Sequence, residues 1–448
     1  MSIVAHDLGT SGCKASLHDD AGRLLASVTV TYPVRYGPGG EAEQDPEDWA
    51  RAVAVATRQL LATAGRPADG VEGVVLSGHM QGAVLLDAAL DPVRPAMIWA
   101  DRRSTAQAGR VARTVDPAEV YRRTGHRLSE SYTLTKALWV AEEEPDVLAR
   151  ADHLVQAKDF VVARLTGRVV TDPSDASGTN LYLLQERRWW SELAEATGLP
   201  ARLLPDVVPS TTVVGTLPAD AAAATGLRAG TPVVLGGGDG PTASVAAGSL
   251  SPDDDPYVCL GSSAWLALAA DRPALDPARR TMTFCHVVPD RYVPIATMQS
   301  AGTALDWIAG AVGDDVAHLL DEAAGVRAAD DGLFFLPHLL GERAPLWTPN
   351  ARGAFVGLTP PARPGPPGAR RGRGRGGWAT TVATATGRPA RTSSATSPSS
   401  GKSACETRST KTSRIPPHVR PTAKADSSLM PYRSSVGVPE ATTSSPVA

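Results

Sequence analysis

Three segments carry side chains whose types and spacing suit chemistry between a phosphate and a hydroxyl. The first is Asp7-Leu8-Gly9-Thr10-Ser11-Gly12-Cys13-Lys14. Gly9 and Gly12 permit a tight turn that brings backbone N–H groups close to an anion, Thr10 and Ser11 add hydroxyl donors, and Lys14 adds charge. Asp7 can hold a divalent metal through water. A structural hairpin turn has the same composition, and the spacing is not that of a Walker A loop. The second segment is Gly236-Gly237-Gly238-Asp239-Gly240. An Asp between a buried strand and a helix start is placed to accept a proton from a substrate hydroxyl, and its glycines let a ligand approach. A helix N-cap carboxylate is the plainer reading, and one side chain can serve both roles.

The third constellation joins Ser77-Gly78-His79-Met80-Gln81-Gly82 to Trp99-Ala100-Asp101-Arg102-Arg103. Polar groups at strand ends beside an aromatic face suit a polyol, which needs directional hydrogen bonds and an apolar surface to lie against. Gly261-Ser262-Ser263 with Ser300-Ala301-Gly302 forms a second candidate phosphate clamp, since small residues permit backbone contact. Ordinary turns read the same way. Glu342-Arg343, in a Pro/Gly-punctuated loop, has the look of a solvated ion pair and receives no chemistry from first principles.

The elements that must position these groups follow from patterning. Ile3-Val4-Ala5, a Gly-rich turn, Ala15-Ser16-Leu17, the turn Asp19–Gly22 and Leu24–Val30 predict a β-meander. Asp45-Pro46-Glu47-Asp48 predicts a capped helix running to about Ala64. Val71–Ser77 and Ala83–Asp87 are strand-like, and 101–115 reads as helical. Strands and helices alternate through Gly238, so the fold class is α/β. A second unit beginning near Leu250 repeats the opening plan, with strand Tyr257–Leu260, turn Gly261–Ser263 and strand Ala264–Ala269. Two similar halves facing a cleft account for that repetition.

Charge is divided unevenly along the chain. The 448 residues carry 44 Lys and Arg against 47 Asp and Glu. From Pro361 onward there are 11 Arg and 3 Lys against Glu406, Asp426 and Glu440, a net +11, which leaves the first 360 residues at −14. In that tail 47 of 88 residues are Gly, Pro, Ser or Thr, a composition that cannot form a packed core. An acidic body argues against nucleic-acid binding by the folded part. No apolar run of membrane-spanning length and no secretory leader is present, so a cytoplasmic address is expected and membrane partners are not. Cys13, Cys259, Cys285 and Cys405 have no zinc or disulfide spacing.

Taken in order, the segments resemble the FGGY carbohydrate kinases, most closely their xylulokinase branch. The resemblance rests on DLGTSGCKA at Asp7–Ala15, SGHMQGAVLLD at Ser77–Asp87, WADRRS at Trp99–Ser104 and TLTKALW at Thr133–Trp139. It continues through KDFVVARLTG at Lys158–Gly167, TDPSDASGT at Thr171–Thr179, GGGDGPTASVAAG at Gly236–Gly248 and LGSSAW at Leu260–Trp265. QSAGTALDW at Gln299–Trp307 and GERAPLWTPNARGAFVGLT at Gly341–Thr359 complete it. What this implies is an actin-like, ribonuclease H-like ATPase fold with two domains around a cleft. The expected divisions are a sugar-binding domain over 1–246, a partial nucleotide-binding domain over 247–360 and a disordered basic tail over 361–448.

The resemblance also implies ATP and Mg as cofactors and a ketopentose substrate, and it is compatible with a homodimer. By position, Asp239 looks like the general base and a substrate contact, and Asp7 like the Mg-organising carboxylate. Gly9, Thr10 and Lys14 fall near the phosphates, Met80, Gln81 and Asp101 near the sugar, and Gly261, Ser262, Ser263 and Gly302 near the nucleotide. Xylulokinases usually carry Gln-Met-His-Gly where this chain has His79-Met80-Gln81-Gly82, and Asp-Asn where it has Asp239-Gly240.

After Thr359 the family continues with a long helix and a glycine-rich adenosine loop, and neither pattern follows here. Residues Ala362–Gly376 can be encoded so that a one-base shift reads His-Asp-Arg-Ala-His-Leu-Ala-Arg-Ala-Val-Ala-Glu-Gly-Val, a helix-forming continuation. The expectation is therefore a frameshifted tail and weak ATP binding by this exact chain, which resequencing across the junction near Pro361 tests. Competing readings are a kinase for another sugar, such as ribulose or gluconate, and a non-catalytic sugar-binding remnant tethered by its basic tail.

Overall fold

The computed structural model describes residues 2–65, 67–324, 332–348 and 350–358. The expected basic tail and its frameshift lie outside the described residues. The N-terminal meander forms as expected, with β1 (Ser2–Leu8), β2 (Gly12–Asp19) and β3 (Leu24–Thr31). Buried positions alternate along β1, so Val4, His6 and Leu8 point into the core. The following helix α1 (Pro46–Ala64) is capped by Asp45, whose carboxylate accepts the Glu47 N–H at 3.0 Å. Gly65, at φ 59°, ends it in the left-handed conformation that glycine tolerates best.

Strand β4 (Val71–Gly78) pairs parallel to β1, helix α2 (Ala157–Thr166) covers the sheet, and β5 (Val213–Thr216) runs into β6 (Pro232–Gly238). The order is β5-β6-β4-β1-β2-β3, with β6, β4 and β1 mutually parallel. Their carboxyl ends therefore share one edge, the usual ligand position in open α/β sheets. The core beneath holds Trp49 and Leu60 of α1, Phe160 of α2, and Leu76 and Val233 from the strands. Helix α3 (Asp239–Ala246) leaves the end of β6 directly. The helix expected over 101–115 spans Thr105–Thr114. Its first turn is displaced because residues 101–104 form a turn instead, in which the Asp101 carboxylate accepts the Arg103 N–H at 3.1 Å.

The second lobe repeats the strand-turn-strand plan with a different sheet. Strands β7 (Tyr257–Leu260), β8 (Ala264–Ala267), β9 (Met282–Cys285) and β10 (Tyr292–Met298) are ordered β7-β8-β10-β9, antiparallel throughout. Helix α4 (Gly302–Val312) follows. Strand β9 stitches this lobe to the first. The Thr283 N–H donates to the Gly125 carbonyl at 3.1 Å, and the Cys285 N–H to the Ser177 hydroxyl at 3.0 Å. A Cβ on Gly125 would stand 2.6 Å from the Thr283 oxygen, so this contact requires glycine.

Candidate active site

The shared strand edge gathers the residues singled out for chemistry. Asp7 of β1 and Gly237 of β6 both lie opposite Ser77 of β4, and Asp239 is the first residue beyond β6. The two carboxylates thus flank the central strand. Packing of protein around Asp239 and the like charge of Asp7 push its carboxyl up to about 7, against hydrogen bonds from the Gly240 and Asp239 backbones. Protein crowding likewise raises the Asp7 carboxyl, opposed by Lys14 and by Ser77. Both side chains still touch solvent, so closure of the cleft over a ligand would strengthen these shifts. Asp239 also accepts its neighbour's Gly240 N–H at 2.7 Å, but the helix cap is Gly238 and Asp239 is the first helical residue, so the expected N-cap carboxylate is not formed.

The Gly9–Gly12 turn is braced on every side. Gly9 N–H donates to the Gly12 carbonyl at 3.0 Å, Gln44 Nε2 to the Thr10 carbonyl at 2.8 Å, and Tyr32 Oη to the Gly9 carbonyl at 2.6 Å. Trp99 Nε1 donates to Thr10 Oγ1 at 2.9 Å, which ties the third motif to the first. A Cβ on Gly12 would come within 2.8 Å of the Val30 oxygen. Lys14 faces Asp7 across β1 and β2.

Residues of the third motif separate. His79 is buried, meets Trp49 edge-on at 5.2 Å, and burial pushes its imidazole down to about 4, so it is a core group. His79 thus points inward, whereas Gln81 is only half-buried. Gln81 adopts φ 66°, a left-handed conformation costly for a non-glycine residue. Its carbonyl accepts Lys136 Nζ at 3.0 Å. Met80 packs against Gly238, where a Cβ would meet its sulfur at 2.6 Å, and against Phe284 and Met282 of the second lobe.

Asp101 corrects an expectation. It was placed near the sugar, but its carboxylate is fully enclosed, accepting the Ala42 N–H at 2.8 Å and Arg103 Nη2 at 2.8 Å. Its oxygens are committed to Ala42 and Arg103.

The second-lobe clamp assembles, with one change from expectation. Gly302 lies against the Gly261–Ser263 turn, and a Cβ there would sit 2.7 Å from the Gly261 oxygen. The N–H groups that open α4 are already used, Gly302 on the Gly261 carbonyl at 2.9 Å and Thr303 on the Ser262 carbonyl at 3.2 Å. The exposed turn, including Ser262, is what remains to meet a ligand.

Three features escaped the sequence reading. Glu342 is not a solvated partner of Arg343: it is buried and accepts the Gln299 N–H at 2.9 Å and His338 Nδ1 at 2.9 Å. Burial lowers the pKa of Arg343, which feels Tyr132, Arg102 and Glu130 of the first lobe as well as Glu342, whose Oε1 accepts the Arg343 N–H at 2.8 Å. Lys136 is fully buried, and desolvation pushes its ammonium down to about 7 against the pull of Asp101 and Glu130. Lys158, Asp159, Asp172 and Asp175 form a fully buried ionic cluster beneath the end of β6. A lysine and acids spaced along two segments of sequence give no sign that the fold will bring them together.

A metal fits this donor set in one manner. Among the described residues no group of three or more His, Cys, Asp or Glu side chains could enclose an ion. One or two carboxylates completed by water and phosphate oxygens is how Mg²⁺ is commonly held, and the mutual repulsion of Asp7 and Asp239 is what a cation between them would relieve.

Residues 2–246 match the N-terminal domain of the FGGY family of carbohydrate kinases, and residues 257–369 match its C-terminal domain. The xylulose kinase of Bacillus subtilis is 31% identical over 358 residues, covering 80% of this chain and 71% of that protein. A gluconokinase from the same organism is 29% identical over 370 residues, covering 80% and 71%. The crystal structure of a xyloylose kinase from Brucella ovis superposes with a TM-score of 0.75 at 34% identity, over 81% of this chain and 74% of that one. The two lobes are those of the actin-like sugar-kinase fold, and no helix among the described residues is long and apolar enough to cross a membrane. The chain belongs to the FGGY family of carbohydrate kinases.

Proposed function

We propose that the protein is built to transfer the γ-phosphoryl group of ATP to a ketopentose, D-xylulose, giving D-xylulose 5-phosphate and ADP in the cytoplasm. The observation that carries this reading is the pairing of Asp239, held near neutral pKa, with Asp7 across the ends of three parallel strands. Asp239 accepts the proton of the sugar's terminal hydroxyl as that oxygen bonds to the γ-phosphorus and the bond from phosphorus to the β–γ bridging oxygen breaks. Bound Mg²⁺, held through water by Asp7, supplies charge neutralisation for the phosphates. Gly9, Thr10 and Lys14 serve the phosphates from the first lobe, and Gly261, Ser262, Ser263 and Gly302 serve the nucleotide from the second. Gln81, fixed by Lys136, and Met80 line the sugar side.

Support for the sugar class comes from the xylulose kinases among the relatives. One observation favours a second reading. Arg102 stands close enough to Arg343 to lower its pKa, and a carboxylate-bearing substrate such as gluconate would be attracted to that pair, in line with the gluconokinase relative. A sugar panel separates the two.

Calorimetry with D-xylulose, ribulose and gluconate, followed by ATP-coupled turnover in this chain and in one with the reading frame restored after Thr359, is the test. We expect xylulose binding in both chains and turnover chiefly in the restored one. Asp239→Asn should lower that turnover by about a hundredfold or more while sugar affinity stays nearly constant. Undiminished turnover of the Asn variant would remove Asp239 as the base.

A further inference from the structure

Strand β6 ends in three residues without side chains, Gly236, Gly237 and Gly238, immediately before Asp239. Gly236 has φ 73° at a break in the β6–β4 register, and a Cβ there would lie 1.6 Å from the Leu76 oxygen. A chain end of this kind cannot be fixed by packing of its own side chains. It is fixed from outside. The Gly236 N–H donates to the Ser210 carbonyl at 2.9 Å, and the Gly238 N–H donates to Ser174 Oγ at 2.9 Å.

Both serines answer to one carboxylate. Ser174 Oγ and Ser210 Oγ donate to Asp172 Oδ2 at 2.5 and 2.6 Å, which leaves the Ser174 oxygen lone pairs free to accept the Gly238 N–H. Asp172 Oδ1 faces Lys158 Nζ at 3.2 Å, and that ammonium also meets Asp159 at 2.6 Å and Asp175 at 3.5 Å, every side chain fully buried. Asp172 thus joins the two serine hydroxyls on Oδ2 to the Lys158 ammonium on Oδ1, a charge-assisted contact.

We propose that Asp172, acting through Ser174 and Ser210 and anchored by Lys158, is the positioning group that sets the glycine end of β6 and so aims the Asp239 carboxylate. The proposal rests on the reading of Asp239 as the base. A merely structural cluster would cap the short helix Pro173–Ser177, which Asp172 also does through the Ser174 N–H at 3.0 Å, and would stabilise the whole lobe evenly.

Amide hydrogen exchange and carbon-detected titration of the Asp239 carboxyl, both on the full chain, distinguish these roles without needing turnover. In Ser174→Ala, exchange at Gly238 should accelerate about five- to a hundredfold, the effect of leaving one buried donor unmatched. Val74 and Leu76 of β4 should change far less, and the Asp239 midpoint should move toward the ordinary carboxylate range as water gains access. Ser210→Ala is the second variant, and it should move Gly236 and the same midpoint in the same sense. Unchanged Gly238 exchange, equal acceleration across the sheet, or an unmoved Asp239 midpoint in both variants would overturn the proposal. If Asp239→Asn keeps its turnover while Ser174→Ala still releases Gly238, the base reading fails and the clamp survives.

Discussion

The two strand-turn-strand units, Asp7–Lys14 in the first lobe and Tyr257–Ala267 in the second, share a plan and differ in what surrounds them. The first sits in a mixed sheet whose parallel neighbours β4 and β6 end at the same edge, so carboxylates from two strands converge. The second sits in an antiparallel sheet, where adjacent strands end on opposite sides and no such convergence arises. Its turn meets a helix start instead, at a contact only glycine permits. One lobe brings carboxylates together, and the other forms a close-fitting backbone contact. Both sheets have exposed outer strands: Leu24 of β3 and Val213 of β5 are 59% and 57% exposed, Val258 of β7 and Leu266 of β8 54% and 46%.

The comparison can be broken most strongly at Lys158. Lys158→Met leaves three buried carboxylates without their cation, and the loss of one partner of a buried ionic group costs about 3–5 kcal/mol. Urea unfolding should show that loss, with the second-lobe contacts at Gly302 untouched; a loss under about 1 kcal/mol would mean the cluster does not hold the first lobe. Gly302→Ala probes the opposite lobe. Its Cβ would press on the Gly261 carbonyl, and overpacking of this kind costs about 1–3 kcal/mol. Nucleotide affinity, read by calorimetry with ATP in the chain whose reading frame is restored after Thr359, should fall while sugar affinity holds. Trp99→Phe is the mildest change. It removes the indole donor to Thr10 Oγ1 and should weaken the first-lobe turn by about 1 kcal/mol, seen as a small loss of thermal stability with the site otherwise intact.

Much of this arrangement was legible in the residues. Short strand-like runs separated by Gly-rich turns marked the meander, Asp45-Pro46 marked the start of α1, and the glycines before Asp239 marked a strand end. Tertiary partners were not legible. Asp101 reads as a free acid beside an aromatic, yet the fold presents it to Arg103 and the Ala42 N–H. Glu342 and Arg343 read as a solvated pair, yet Glu342 is buried on the Gln299 and Arg343 N–H groups and His338. Lys136 and Gln81 are 55 residues apart, and only packing of the helix Thr133–Glu143 brings the ammonium onto the Gln81 carbonyl.

The most direct test of the account is the titration of the Asp239 carboxyl carbon in the native protein and in Asp7→Asn. The midpoint should lie at about 7 in the native chain, held there by surrounding protein and by the Asp7 charge. Removing that like charge should lower it, so that the base ionises at a more acidic pH and the rise of turnover with pH moves the same way. A native midpoint near the ordinary carboxylate value of about 4, unmoved by Asp7→Asn, would contradict the claim that the two strand ends form one site.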